Sequence, residues 1–133
     1  MRISFFFTNF AANYKLGRLA TFMAKILVVD DERAIRNTLK DILEFEGYTI
    51  DLAENGKVGL EKALANTYDL IYTDIKMPEM DGLEMLQVYR QAVKENGTEE
   101  SPVVMISGHG TVETAVDALK NGAFDFIVKP LDL

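Results

Sequence analysis

The chain has 133 residues and no cysteine. That absence excludes disulfides and thiolate metal sites and suits a reducing cytoplasm. Histidine is nearly absent too: His109 stands alone, and a lone histidine is seldom a metal ligand or an acid/base. No apolar run approaches the ~18 residues that a membrane span needs. Basic residues are in deficit, 14 against 21 acidic ones, for a net charge of -7. Nucleic-acid binding wants a basic footprint, so direct contact with DNA or RNA is not expected. What is present is 48% hydrophobic residues, enough for one core, in a length that suits one domain.

The first 22 residues lack any acid and carry Arg2, Lys15 and Arg18 with the aromatics Phe5, Phe6, Phe7, Phe10, Tyr14 and Phe22. As a signal peptide the stretch fails. Its apolar part, 3–7, is short and broken by Ser4, and no clean small-residue cleavage site follows. Met23 opens Met-Ala-Lys-Ile-Leu-Val-Val-Asp-Asp, a natural domain start. The division expected is an N-terminal extension over 1–22 and a domain over 23–133.

From residue 25 onward short apolar runs alternate with amphipathic ones. Residues 26–29, 48–53, 70–73, 103–106 and 126–128 read as strands, several apolar throughout as in a sheet buried on both faces. Helices are expected over 32–46, 57–65, 83–94 and 112–121, with Gly47 and Gly122 as stops. Their inward residues are Ile35, Leu39, Ile42 and Leu43, then Leu60, Ala63 and Leu64, then Leu86, Tyr89 and Val93. Strands alternating with helices at this spacing argue an α/β doubly wound fold with a parallel sheet. In such sheets function collects at the carboxyl ends of the strands.

Five polar residues fall at those ends: Asp30 and Asp31 after the first strand, Asp74 after the third, Ser107 after the fourth and Lys129 after the fifth. Each has a plain explanation alone. An aspartate can cap a helix, a serine can begin a turn, and a lysine can be solvated. Together they point to one site. Three carboxylates side by side repel one another and raise each other's pKa. A divalent cation relieves this, and all-oxygen ligation favours Mg²⁺, which keeps affinity for phosphate oxygens. Lys129 would hold a phosphate oxygen as a point charge, Ser107 would donate a hydrogen bond, and a carboxylate can attack phosphorus to give an acyl phosphate.

The runs Ile-Leu-Val-Val-Asp-Asp-Glu, Thr-Asp-Ile-Lys-Met-Pro-Glu-Met-Asp-Gly, Ile-Ser-Gly-His-Gly and Phe-Ile-Val-Lys-Pro resemble the receiver domain of bacterial response regulators. The resemblance covers 25–131. It implies a flavodoxin-like five-stranded sheet of strand order 2-1-3-4-5. Asp74 matches the phospho-acceptor, Asp31 a direct Mg²⁺ ligand and Asp30 one that acts through water. Lys76 sits where the family lends a backbone carbonyl to the metal. Ser107 and Lys129 match the family's hydroxyl and lysine, and Phe126 the aromatic that changes rotamer on activation. The implied partner is a sensor histidine kinase, and the module itself is not an enzyme. The Ser-Gly-His-Gly and Asn-Gly-Ala-Phe-Asp-Phe runs resemble the nitrogen-regulator branch. There an ATPase domain and a DNA-binding domain follow the receiver, so transcriptional output would belong to a parent protein.

Phosphorylation is expected to draw Ser107 toward the new oxygens, move the fourth helix, and let Phe126 pack into the space released. Gly108 and Gly110 give that loop freedom. His109 and Lys76 would flank the phosphate and tune its hydrolysis. The family's closing fifth helix has no counterpart before Leu133, so 23–133 reads as a receiver cut short. The aromatic leader, 3–20, is the segment expected to cover the sheet face left open. The family's dimerisation face involves that helix, so a monomer or weak homodimer is expected. Two other functions compete. A Mg²⁺-dependent phosphatase would place its acids as Asp-x-Asp on the nucleophile strand and add a cap. A phosphorylation-independent interaction module would tolerate loss of the acceptor, a metal acid or the lysine, and all are present.

Overall fold

The computed structural model describes residues 24–108 and 111–129. The extension over 1–22, its expected role as a cover, His109, Gly110 and the chain past Lys129 lie outside the described residues. Five strands and four helices alternate: β1 (Lys25–Val29), α1 (Arg33–Phe45), β2 (Thr49–Ala53), α2 (Gly56–Ala65), β3 (Leu70–Asp74), α3 (Gly82–Asn96), β4 (Val103–Ser107), α4 (Val112–Lys120) and β5 (Asp125–Val128). The strands form one parallel sheet in the order β2-β1-β3-β4-β5, as the sequence led us to expect.

Burial explains the apolar runs. Every residue of β3 and β4 is buried, so these strands cannot alternate polar with apolar. One face of the sheet carries Ile26, Val28, Leu70, Tyr72, Val104 and Ile106 against Leu39 and Leu43 of α1 and their neighbours. The other carries Leu27, Val29, Ile71 and Met105 against Met85, Leu86 and Tyr89 of α3. Each fully buried side chain of this size contributes roughly 1.5–3 kcal/mol.

Helix ends follow local chemistry. Asn55 caps α2 by accepting the Val58 N–H at 2.8 Å, and Asp81 caps α3 by accepting from Glu84 at 2.8 Å. Gly97, at φ 64, ends α3 in the left-handed region that glycine tolerates best. The inward face of α2 corrects the sequence reading. Leu64 is 45% exposed, and the buried positions are Gly56, Gly59 and Ala63. A Cβ at Gly59 would lie 2.8 Å from a Val29 methyl. The helix lies close enough to β1 that Gly56, Gly59 and Ala63 are buried there; Leu60 packs half-buried beside them, and only Leu64 departs from the expected face.

Candidate functional site

The carboxyl ends of β1, β3, β4 and β5 meet at one edge of the sheet, where Asp30, Asp74, Ser107 and Lys129 come together. Asp74 is the last residue of the central strand β3 and is 4% exposed. Its backbone is held from several sides. The Thr73 hydroxyl donates to the Asp74 carbonyl at 3.0 Å, and the next N–H, Ile75, donates to Ile106 at 2.8 Å. The first turn of α3 rests on the same carbonyl: a Cβ at Gly82 would stand 2.3 Å from it. Only glycine permits that approach, so Gly82 fixes the helix against the Asp74 peptide.

Asp30 is set with similar firmness. Its N–H donates to Ala53 at 3.1 Å, its carbonyl accepts from Arg36 at 2.7 Å, and its Oδ1 accepts the Glu32 N–H at 2.9 Å. Its Oδ2, on a residue only 1% exposed, makes no hydrogen bond. Lys129 supplies the counter-charge. Its backbone N–H donates to the Ser107 carbonyl at 2.7 Å, which anchors it beside β4. Its Nζ then lies 3.3 Å from Asp30 Oδ2, 3.3 Å from Glu32 Oε1 and 3.4 Å from Asp74 Oδ2.

The charges disturb one another as crowding demands. Burial and then the Asp30 charge push the Asp74 carboxyl up to about 6, against a smaller opposing pull from Lys129. Burial likewise raises Asp30, with the Glu32 N–H and Lys129 opposing it. Burial alone would lower Lys129; Asp30 and Asp74 outweigh it and hold its ammonium charged.

Among the described residues, the carboxylates close enough to share a cation are Asp30, Asp31 and Glu32, whose oxygens lie within 4.8 Å of one another. Asp74 joins this group through Lys129. Glu32 was not singled out in the sequence; the signal available was a glutamate where a helix N-cap usually wants Ser, Thr, Asp or Asn. Ser107 is buried at the end of β4, and Gly108 follows it in the open. Lys76 is exposed, two residues past Asp74. Phe126, half-buried on β5, pairs in register with Met105 and packs on the α3 side of the sheet.

Residues 26–133 are matched by the family model described as the response regulator receiver domain. The chain belongs to that family. This receiver is 44% identical over 109 residues to the nitrogen assimilation regulatory protein NtrX of Azorhizobium caulinodans, covering 80% of the chain and 23% of that relative. Among solved structures it resembles response regulator TrrA of Thermotoga maritima in complex with Mg²⁺-BeF (36% identity, TM-score 0.68, 80% of this chain and 87% of that one). It also resembles a response regulator from Burkholderia pseudomallei with a phosphorylated aspartic acid, a calcium ion and citrate. There the identity is 27% and the TM-score 0.71, over 80% of this chain and 60% of that one. The receiver spans 23% to 48% of the length of the curated relatives it matches. It is a signalling module of two-component systems, and no helix of its described residues is long and apolar enough to cross a membrane.

Proposed function

We propose that this receiver takes a phosphoryl group onto Asp74 from the phosphohistidine of a sensor histidine kinase, in the cytoplasm. The observation that carries the reading is the position of Asp74. It ends the central strand with its carboxylate tied through Lys129 to a buried, under-satisfied Asp30. An Asp74 oxygen attacks phosphorus, the P–N bond to the donor ring breaks, and the imidazole leaves with the electron pair and takes up a proton. Lys129 is placed to turn from carboxylate to phosphoryl oxygen, and Ser107 to donate to another.

The residues fit a divalent cation. The donors are all oxygens, and the buried Asp30 Oδ2 has only the Lys129 ammonium, 3.3 Å away, and no well-formed hydrogen bond. Asp30, Asp31 and Asp74, with the Lys76 carbonyl, would hold Mg²⁺. When bound, it neutralises charge on the phosphoryl oxygens. The acyl phosphate adds about one negative charge, and the switch runs through Ser107, the loop at Gly108 and His109, α4 and Phe126. Output passes to ATPase and DNA-binding domains of a parent protein, and the module alone is a monomer or weak homodimer with no catalytic turnover of its own.

Intact mass after incubation with acetyl phosphate and Mg²⁺ tests the acceptor. A single gain of roughly 80 Da, as one acyl phosphate requires, is expected for the wild type and not for Asp74→Ala. An adduct that survives in Asp74→Ala, or a folded wild type that gains none, overturns the reading.

A further inference from the structure

Three carboxylates surround the Lys129 ammonium, and the function proposed above employs two of them. Asp74 is the acceptor and Asp30 a cation ligand; Glu32, whose carboxylate lies within 4.8 Å of those of Asp30 and Asp31, has no role assigned in that reading. It stands at the N-cap of α1 yet its side chain makes no capping hydrogen bond. The carboxylate instead reaches Lys129, 97 positions away in sequence, at 3.3 Å. With 60% of its side chain exposed, Glu32 is free to hold or release that contact. Lys129 itself, 16% exposed, lies 3.4 Å from an Asp74 side chain that is 6% exposed, so the ammonium sits over the oxygen that must react.

We propose that Glu32 is a brake on phosphorylation: it retains Lys129 on the carboxylate side of the site and slows its transfer to the phosphoryl group. This rests on Asp74 being the acceptor. A phosphoryl oxygen obtains Lys129 only by taking it from its present partners. Asp30 yields when its carboxylate turns to a cation, and Asp74 yields when its own oxygen is phosphorylated. Glu32, exposed at the rim and 3.3 Å from Lys129, is released by neither of these steps and still competes for the ammonium. Its role is positioning, exerted through Lys129. An exposed pair contributes up to about 1 kcal/mol, so release is worth at most roughly fivefold in rate.

Two variants separate the brake from a general charge effect. Glu32→Gln removes the charge. Glu32→Asp keeps it but is one methylene shorter and suits the capping position, which draws it from Lys129. The measurements are the Asp74 phosphorylation rate from acetyl phosphate at saturating Mg²⁺, Mg²⁺ affinity by calorimetry, and the Lys129 Nζ NMR signal in metal-free protein. Both variants are expected to react about two- to fivefold faster and to shift the Lys129 signal before metal is added, while Mg²⁺ affinity falls only in Glu32→Gln. Wild-type rates in both variants, an unmoved Lys129 signal, or a rate change confined to Glu32→Gln overturns the brake. If the wild type gains no phosphoryl group on Asp74, the acceptor reading itself fails, and the brake with it.

Discussion

At neutral pH Asp74 carries a charge that its surroundings oppose, since burial and Asp30 lift its pKa to about 6. An unfolded aspartate titrates near ~3.9. Between those two values the folded protein binds more protons than the unfolded one, so stability falls as pH rises through this window. Asp74→Asn should therefore melt several degrees higher than the wild type in metal-free buffer at pH 7, a gain of about 2 kcal/mol. The difference should vanish below about pH 4; melts at both pH values check it. A protonated carboxyl is no nucleophile, so the phosphorylation rate should drop as pH falls, and the drop should move to lower pH as Mg²⁺ is raised, because a nearby cation favours the ionised form. The convergence of Asp74, the acid pair, Ser107 and Lys129 was legible in sequence because each lies at or just past the end of an apolar strand. Glu32 was not, because its significance lies in a contact across the fold and not in any local pattern.

Among the elements, α4 is the most lightly seated. Ala118 is its one buried residue, and Val112, Val116 and Leu119 are exposed. By contrast α3 buries Met85, Leu86, Tyr89 and Val93. The C-terminal end of α4 is tied to α3, where Gln87 donates to the Asn121 side chain at 2.9 Å and Arg90 to the Asn121 carbonyl at 3.0 Å. Arg90 also pairs with Glu100 and lies over Gly122, where a Cβ would collide with its guanidinium. If phosphorylation draws its other end toward Ser107, as proposed above, such a helix is expected to pivot at its C-terminal tie. Amide hydrogen exchange should be faster throughout α4 than in α3, and Arg90→Ala should speed it further in 117–121. An unchanged α4 profile in that variant would show that the tie does not hold it. The element order was readable from periodicity, with bounds off by one or two residues. The inward face of α2 was legible in Leu60 and Ala63 but not in Gly56 and Gly59, because close helix–strand approach selects glycine where hydrophobicity points to leucine.

For the whole molecule, stability is linked to the site by mass action. A cation that binds the folded state at a hundred times its Kd stabilises it by about 2.7 kcal/mol. Added Mg²⁺ should raise the wild-type Tm by several degrees, and Asp31→Asn should lose most of that gain; thermal melts across a Mg²⁺ titration read both.

The position of Lys129 among its acids has a consequence for signalling logic. Four carboxylates, Asp30, Asp31, Glu32 and Asp74, against Lys129 and the Arg36 guanidinium at the Asp30 carbonyl leave a formal excess of two negative charges around Asp74. A phosphorylated donor carries negative charge too, so its approach alone is opposed by Coulomb repulsion at short range. On the function proposed above, the module is expected to behave as a coincidence detector: it should register a donor only while a cation is present to admit it, so that the two inputs multiply where either alone gives little.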